Sequence, residues 1–319
     1  GIRIIDYSDP ANPAVVGTIP GNHIGARIQD NVLLALRSEG RLFYVDVYAL
    51  QNTPLAPPLI GTSPLIRYDL AFDLTSNSTH AFVSTVNDCY FLGSNDIYRQ
   101  LGDQIAIKLN LDSIDNPTTA APTLDSVLFN THGDNTFDPT DVSGCAESGG
   151  DHLVYGVALA TPNTSYLATT TATQGNTQVG VGRIEVVDVT DGANPMVLKS
   201  LDIPGTVLTL GVSISGNVGV VVGSTQGFQD NPNGVIIGDL TVTTLDVTDR
   251  LNPKIVTTRT LDRPTSTFWV NFSSLGGGRF AFASQGIVGN TINPSILVID
   301  ASNPRSPLIG DSSIPIDLI

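Results

Sequence analysis

The chain repeats one short phrase six times, and this repetition constrains its fold more than any other feature. Each copy joins an apolar run ending in Asp or Asn to a turn rich in Asp, Asn and Pro. The run predicts a buried strand, and the turn residues predict a tight reversal after it. Such units predict a closed array of similar sheets. The copies lie at residues 4–13, 45–54, 109–117, 187–195, 245–253 and 298–307.

Between the phrases, apolar runs alternate with short turns of small residues, so each unit is predicted to hold four antiparallel strands. In one unit these runs lie at 210–215, 218–223, 242–246 and 254–259, and Gly216-Asn217 supplies the hairpin turn between the first two. Repeats of this length with period-two patterning predict an all-β fold, a β-propeller of four-stranded antiparallel blades. A β-sandwich is the alternative architecture.

Two copies extend to a longer match with a known repeat. Residues 2–17 and 184–195 resemble the LVIVD repeat, which occurs in propellers that are mostly secreted or surface proteins. The resemblance runs through the whole chain and implies the propeller fold, but no single activity. The spacing between copies exceeds that of the usual short repeat, and we assign the extra length to loops.

We predict one propeller domain over residues 1–319, which begins with half a blade at 1–20. Propellers usually close by pairing strands from both termini within one blade, so we expect another segment to complete this half. Six blades are the first expectation and seven the second. The five full blades are predicted at 23–62, 68–129, 153–204, 209–260 and 267–313.

Loops between the second and third strands of a blade lie on the same face as the connections between blades, which we call the top face. Long segments are predicted there, whereas the opposite, bottom face carries short turns and the repeated phrase. Long loops on a compact scaffold usually carry function. Cys89 and Cys145 both fall on the top face at the second full blade, which predicts a disulfide. The long segments are 87–103, 130–152, 173–182, 224–239 and 285–293.

The chain is strongly acidic, with a net charge of −15 and only three lysines. This charge disfavours nucleic acid and anionic membranes as partners. No apolar run is long enough to cross a bilayer. The scarcity of lysine and cysteine favours a secreted or cell-surface protein. In that compartment the sequon residues Asn77 and Asn163, at predicted bottom-face turns, would accept glycans.

The segment 131–152 holds five carboxylates and two imidazoles among small residues. Oxygen ligands at short spacing suit Ca²⁺, with Asp134, Asp138 and Asp141 as candidate ligands, although the spacing does not match an EF-hand loop. A solvated acidic loop without metal is the alternative.

Candidate pocket residues cluster where the innermost strands begin, around the mouth of the channel. They combine acids, imidazoles, a guanidinium and aromatic rings, which suit acid/base chemistry, carboxylate binding or sugar stacking. Inter-blade packing is the alternative role for Trp269, and hydrogen bonding alone for each His. The candidates are His23, Arg67, Tyr68, Asp69, Asp151, His152 and Trp269.

No catalytic signature with a fixed spacing occurs in the chain. We therefore expect a secreted or surface module for binding or assembly, which contacts a protein or carbohydrate partner at its top face. One alternative is a propeller enzyme, such as a hydrolase, lactonase or isomerase, with a metal at the channel mouth. A lectin-like propeller is the other, although Trp269 has no counterparts at equivalent positions of other blades.

Overall fold

The computed structural model shows an all-β chain of five four-stranded antiparallel sheets, the blades, and one two-stranded sheet, the half blade, in a propeller arrangement. It describes residues 1–6, 8–9, 12–40, 42–51, 54–67, 70–91, 97–128, 152–173, 176–226, 229–231, 234–288 and 291–312. Within these ranges, side chains are not described at 67, 70, 72, 86–91, 97–101, 152–153, 172–173, 176–179, 229–231, 234–237, 262–271, 284–288, 291–295 and 311–312.

The half blade and the first two blades follow each other along the chain. The half blade pairs β1 (Ile2–Asp6) with β2 (Ala14–Ile19). The first blade contains β3 (His23–Gln29), β4 (Val32–Glu39), β5 (Leu42–Ala49) and β6 (Leu59–Thr62), and β7 (Ile66–Arg67) also pairs with β5. The second blade contains β8 (Leu70–Ser76), β9 (His80–Phe91), β10 (Ile97–Lys108) and β11 (Thr123–Leu128).

The last three blades repeat this order, and one long strand joins the final two. The third blade contains β12 (His152–Thr161), β13 (Thr164–Thr173), β14 (Asn176–Asp188) and β15 (Met196–Asp202). The fourth contains β16 (Leu208–Ser215), β17 (Val218–Ser224), β19 (Gly234–Asp246) and the first part of β20 (Lys254–Gly276), and β18 (Gln229–Asn231) pairs with β19. The fifth contains the second part of β20, β21 (Arg279–Val288), β22 (Thr291–Asp300) and β23 (Leu308–Ser312).

The repeated phrase forms the turn before the outermost strand, as predicted. Asp188 accepts the N–H of Thr190 at 2.9 Å, and Asp191 accepts the Nδ2 group of Asn194 at 2.8 Å. The hydroxyl and the N–H of Thr190 lower the pKa of Asp188. Equivalent bonds hold Asp6, Asp246 and Asp300. In these four copies the predicted turn is therefore confirmed, and the carboxylate that ends the strand stabilises it.

Each seam between adjacent sheets has its own cluster of buried apolar side chains. Leu34 and Val47 of the first blade pack with Leu74 and Ile105 of the second, for example. Phe82 packs between the second and third blades, Tyr166 between the third and fourth, and Phe280 between the fourth and fifth. A four-stranded sheet alone buries too little surface for stability, so each blade depends on its neighbours. No described helix is long and apolar enough to cross a bilayer.

The top-face segments differ from the predicted loops. Four of the five form extended β-hairpins, because β9–β10, β13–β14, β18–β19 and β21–β22 continue pairing into them. Continued pairing satisfies backbone N–H and C=O groups that a loop would leave to water. The fifth segment, 130–152, lies outside the described residues except for His152. The top face is therefore largely a set of two-stranded ribbons.

The innermost strands of the first four blades share a β-bulge, seen as a shift of register beside a glycine or Asp73. At this level the backbones of β12 and β16 come very close. A Cβ added to Gly156 of β12 would lie 2.7 Å from the Cα of Gly211 on β16. Neighbouring innermost strands pack on one another, and β20 of the fifth blade also contacts β8 of the second.

We expect Gly156→Ala to lower the free energy of unfolding by about 1–3 kcal/mol, because its methyl group would push apart two backbones. Gly25→Ala is the matched control at the equivalent bulge of the first blade, where the nearest atom would be the Leu36 Cβ at 3.8 Å. That change should leave stability near the wild-type value. Chemical denaturation of both variants measures the difference, and equal losses would contradict the proposed close approach.

Candidate functional site

Only part of the predicted channel-mouth set can be located. Tyr68, Asp69 and Asp151 lie outside the described residues, as do the candidate metal ligands Asp134, Asp138 and Asp141. The backbones of Arg67, His152 and Trp269 lie in β7, β12 and β20, and their side chains are not described. His23 is the one member of the set whose side chain is described.

The His23 side chain lies in the seam between the first blade and the half blade. It is 1% exposed, and its Nε2 atom is 3.6 Å from Asp46 Oδ2 and 3.4 Å from the Tyr48 hydroxyl. Tyr48 packs there with Ile19 and Leu33. Burial lowers the pKa of His23, against the opposing effect of Asp46. The imidazole therefore supports this seam and does not open on the channel mouth.

Asp46 is the centre of this buried polar cluster. It accepts a hydrogen bond from Arg37 Nε at 2.6 Å and another from the Thr62 hydroxyl at 2.9 Å. Arg37 also lies over the ring of Tyr44, with its Cζ atom 4.5 Å from the centroid. A buried carboxylate with this many partners is satisfied. His23 Nδ1, by contrast, is buried without a hydrogen-bond partner within the described part of the chain.

The channel wall holds a second charged pair, which joins three blades. Asp73 on β8 lies 3.2 Å from Arg27 Nη2 on β3, and its carboxylate also accepts the N–H groups of Leu74 at 2.8 Å and Val157 at 3.4 Å. The Asp73 side chain is 16% exposed. Burial raises its pKa to about 6, against the opposing effects of Arg27 and the two N–H groups. The pKa of Asp73 is therefore about 6, well above the ordinary value of an aspartate.

Sequence reasoning missed Asp73 and chose its neighbour Asp69. The signal lay in the repeat, because Asp73 occupies the bulge position that is Gly25, Gly156 or Gly211 in three other blades. A charged residue where the equivalent strands carry glycine indicates that its side chain makes contacts specific to this blade. Spacing from the repeated phrase alone did not reveal the equivalence, because each bulge inserts an extra residue.

A buried polar row runs from Asp73 across the second blade. Ser84 pairs with Asp73 and Gln104 pairs with Ser84, so the three side chains share one face of the sheet. Gln104 is 2% exposed, and both of its amide atoms lack partners among the described residues. An amide buried in this way is the kind of group that an internal water satisfies. Near the channel, the interface between the second and third blades is therefore polar.

The described residues contain no group of three or more His, Cys, Asp or Glu side chains able to hold a metal ion. The acidic segment predicted to bind Ca²⁺ lies outside them except for His152, so that site stays a prediction.

The predicted modification sites have different surroundings. Asn163 is exposed in the turn between β12 and β13. Asn77 is 8% exposed and donates its Nδ2 group to the Pro162 carbonyl at 2.8 Å, a bond that a glycan would disrupt. Cys89 lies in β9 and Cys145 lies outside the described residues, so their disulfide stays a prediction.

Among the strands that the structure describes, none covers the second edge of β1 in the half blade. In the described part of the chain β1 pairs only with β2. Ile5 and Val15 face each other across this sheet and are 48% and 56% exposed. Unpaired strand edges and exposed apolar side chains together promote pairing with further strands.

Comparison with known proteins identifies the fold. No family model matches the chain, and no curated protein matches its sequence. Among solved structures it is similar to a candidate 6-phosphogluconolactonase from Bacteroides fragilis, with 9% identity and a TM-score of 0.54 over 95% of this chain and 74% of that one. A hypothetical selenium-binding protein from Sulfolobus tokodaii gives 12% identity and a TM-score of 0.48, over 89% of this chain and 59% of that one. The first likeness supports the propeller fold alone.

We expect Asp73→Asn to become more stable relative to wild type as the pH rises from about 4 to 7. The folded-state pKa of Asp73 is about 6 and the ordinary value is 3.8, so wild type loses stability as the buried carboxyl ionises across this window. The difference should approach about 3 kcal/mol at most. Urea unfolding across this pH range measures it.

Asp202→Asn is the charge-matched control, because Asp202 pairs with Arg183 and its side chain is 61% exposed. A difference for Asp73→Asn that does not change with pH, or one that the control reproduces, would contradict a raised pKa at Asp73.

Proposed function

We propose that the protein is a secreted or cell-surface binding and assembly module whose top-face ribbons form the recognition surface. One observation carries the proposal. In the second blade, β9 and β10 pair with each other as far as Phe91 and Ile97, whereas the pairing of β10 with β11 begins only at Gln104. The ribbon therefore extends well past the outer strand of its blade. A ribbon that the blade core does not require is available for contact with a partner.

We also propose the finer architecture on which this function depends. The chain would belong with the LVIVD-repeat propellers, with six blades once two further strands complete the half blade. A disulfide between Cys89 and Cys145 would tie the ribbon of the second blade to the segment that follows that blade. Calcium bound at 131–152 would order the same face.

A propeller enzyme is the second candidate function, and Asp73 is the observation that favours it. A carboxylate with a raised pKa in a channel wall is a candidate acid or base. However, Arg27 and two backbone N–H groups already engage it. We therefore favour binding and assembly.

Trimming the second-blade ribbon should abolish partner binding without unfolding the protein. Asn87 and Leu101 face each other in register, so an Asn-Gly turn can join them in place of residues 88–100. The blade core lies below this level, and we expect the melting temperature to fall by a few degrees at most. Wild type and variant are each immobilised and exposed to medium from the source cells. Quantitative mass spectrometry then measures the proteins that each one retains.

The trimmed protein lacks Cys89, so it should be made in a Cys145→Ser background. A Cys89→Ser, Cys145→Ser double variant with the full ribbon is its matched control. The proposal expects partners held by wild type and the control to be lost from the trimmed protein. Retention of the same proteins by all three would contradict recognition through this ribbon.

Assembly through the half blade predicts that the pure protein associates with itself as its concentration rises. Replacing the facing pair with Ile5→Lys and Val15→Lys should keep it monomeric, because charge opposes strand addition at an edge. Sedimentation velocity across a range of concentrations measures the effect.

Met196→Lys with Leu308→Lys is the control pair, because these outer-strand residues are 58% and 70% exposed. This pair should associate as wild type does. Wild-type protein that stays monomeric throughout, or association unaffected by the half-blade changes, would contradict self-assembly at this edge.

A further inference from the structure

A depression of about 300 Å³ lies on the bottom face, where the inner hairpins of the first three blades meet. Such a volume is at the lower end of the range for small-molecule sites. The last residue of β3, the last of β8 and the end of β12 contribute to it, so three blades build its wall. Besides Asn77, the lining residues are Gln29, Ser76, Ser78, Leu159, Thr161 and Pro162.

Asn77 fixes the shape of this wall. Its Oδ1 atom accepts the N–H groups of Thr79 at 2.9 Å and His80 at 2.7 Å, which closes the hairpin turn of the second blade. Its Nδ2 group donates to the Pro162 carbonyl, which holds the third-blade hairpin against it. Two neighbouring hairpins are thus locked together, and a ligand would meet a preformed wall.

The wall has unused hydrogen-bonding capacity. Within the described part of the chain, the Ser76 and Ser78 hydroxyls make no hydrogen bond. Gln29 donates its Nε2 group to Asp30 at 2.9 Å, which leaves its carbonyl oxygen free to accept. The Thr161 hydroxyl accepts the Asn163 N–H at 3.2 Å and still has a proton to donate. The depression therefore offers both donors and acceptors.

The remaining lining is apolar, and none of it is charged. Leu159 and Pro162 supply aliphatic surface beside the hydroxyls. A net charge of −15 on the chain disfavours anions. Donors and acceptors next to aliphatic carbon match the surface of a sugar, which carries hydroxyls on its rim and C–H groups on its faces.

We propose that this depression binds a neutral polyhydroxyl molecule of monosaccharide size. Ser76, Ser78, Thr161 and Gln29 hydrogen-bond to its hydroxyls, and Leu159 and Pro162 contact its C–H face. The site is separate from the top-face ribbons and the half blade. Its failure would therefore leave the proposed binding and assembly function untouched, and the reverse holds as well.

Titration calorimetry with glucose, galactose, mannose and N-acetylglucosamine tests the site. We expect saturable binding of at least one sugar to wild type, with a Kd on the order of 1 mM. Ser78→Leu fills the depression and should weaken binding at least tenfold. Thr161→Val removes one hydroxyl at nearly constant volume and should weaken it by about 3- to 10-fold.

Ser306→Leu is the matched control, because it makes the same change in an exposed turn of the fifth blade. It should bind as wild type does, and glucuronate should bind more weakly than glucose because its carboxylate meets no cation in the lining. Thermal melts confirm that each variant is folded. If Ser78→Leu does not fold, the affinity of Thr161→Val for the sugar tests the proposal. The proposal is overturned if no sugar saturates wild type, if neither pocket variant weakens binding, or if glucuronate binds as tightly as glucose.

Discussion

The close approach of β12 and β16 at their β-bulges is the constraint on which the packing of the third and fourth blades depends. Backbone meets backbone between Gly156 and Gly211, and a methyl group there would lie 2.7 Å from a Cα atom. Burial of the blade faces requires these two sheets to converge, and between Gly156 and Gly211 their convergence leaves no space for a side chain. Glycine at the bulge therefore belongs to the packing of the blades as much as to the local turn of the strand.

Asp73 is the exception among the bulge residues, because it carries a side chain where three other blades have glycine. It occupies the same bulge position on β8, and there Arg27 of one neighbouring blade and the Val157 N–H of the other receive its carboxylate. Burial favours the neutral acid, while the cation and the N–H groups favour the anion, and burial prevails. The result is a titratable contact between three blades. A residue that binds its own fold so fully has little capacity left for a substrate.

The repeat made the blade plan predictable, because each phrase places an apolar strand before a turn rich in Asp, Asn and Pro. Two features could not be read in the same way. A β-bulge shifts the alternation of faces by one residue, so His23 lies in a seam although its position suggested the channel mouth. The extra length between the repeats suggested loops, yet cross-strand pairing over many residues makes four of the five top-face segments ribbons. Both depend on partners that are distant in sequence.

Polar groups already committed to the fold can be separated from those still available, and this separation limits where function lies. Four acids of the repeated phrase, Asp6, Asp188, Asp246 and Asp300, are held by their own turns, whereas Asp46 of the second copy is enclosed by Arg37, Thr62 and His23. Asn77 is committed in the same sense, since its amide joins two hairpins, whereas Asn163 stands exposed in the next turn. A glycan at Asn163 leaves the bottom-face wall intact, but one at Asn77 requires that wall to open. Of the two sequons, only Asn163 is compatible with a preformed bottom-face site.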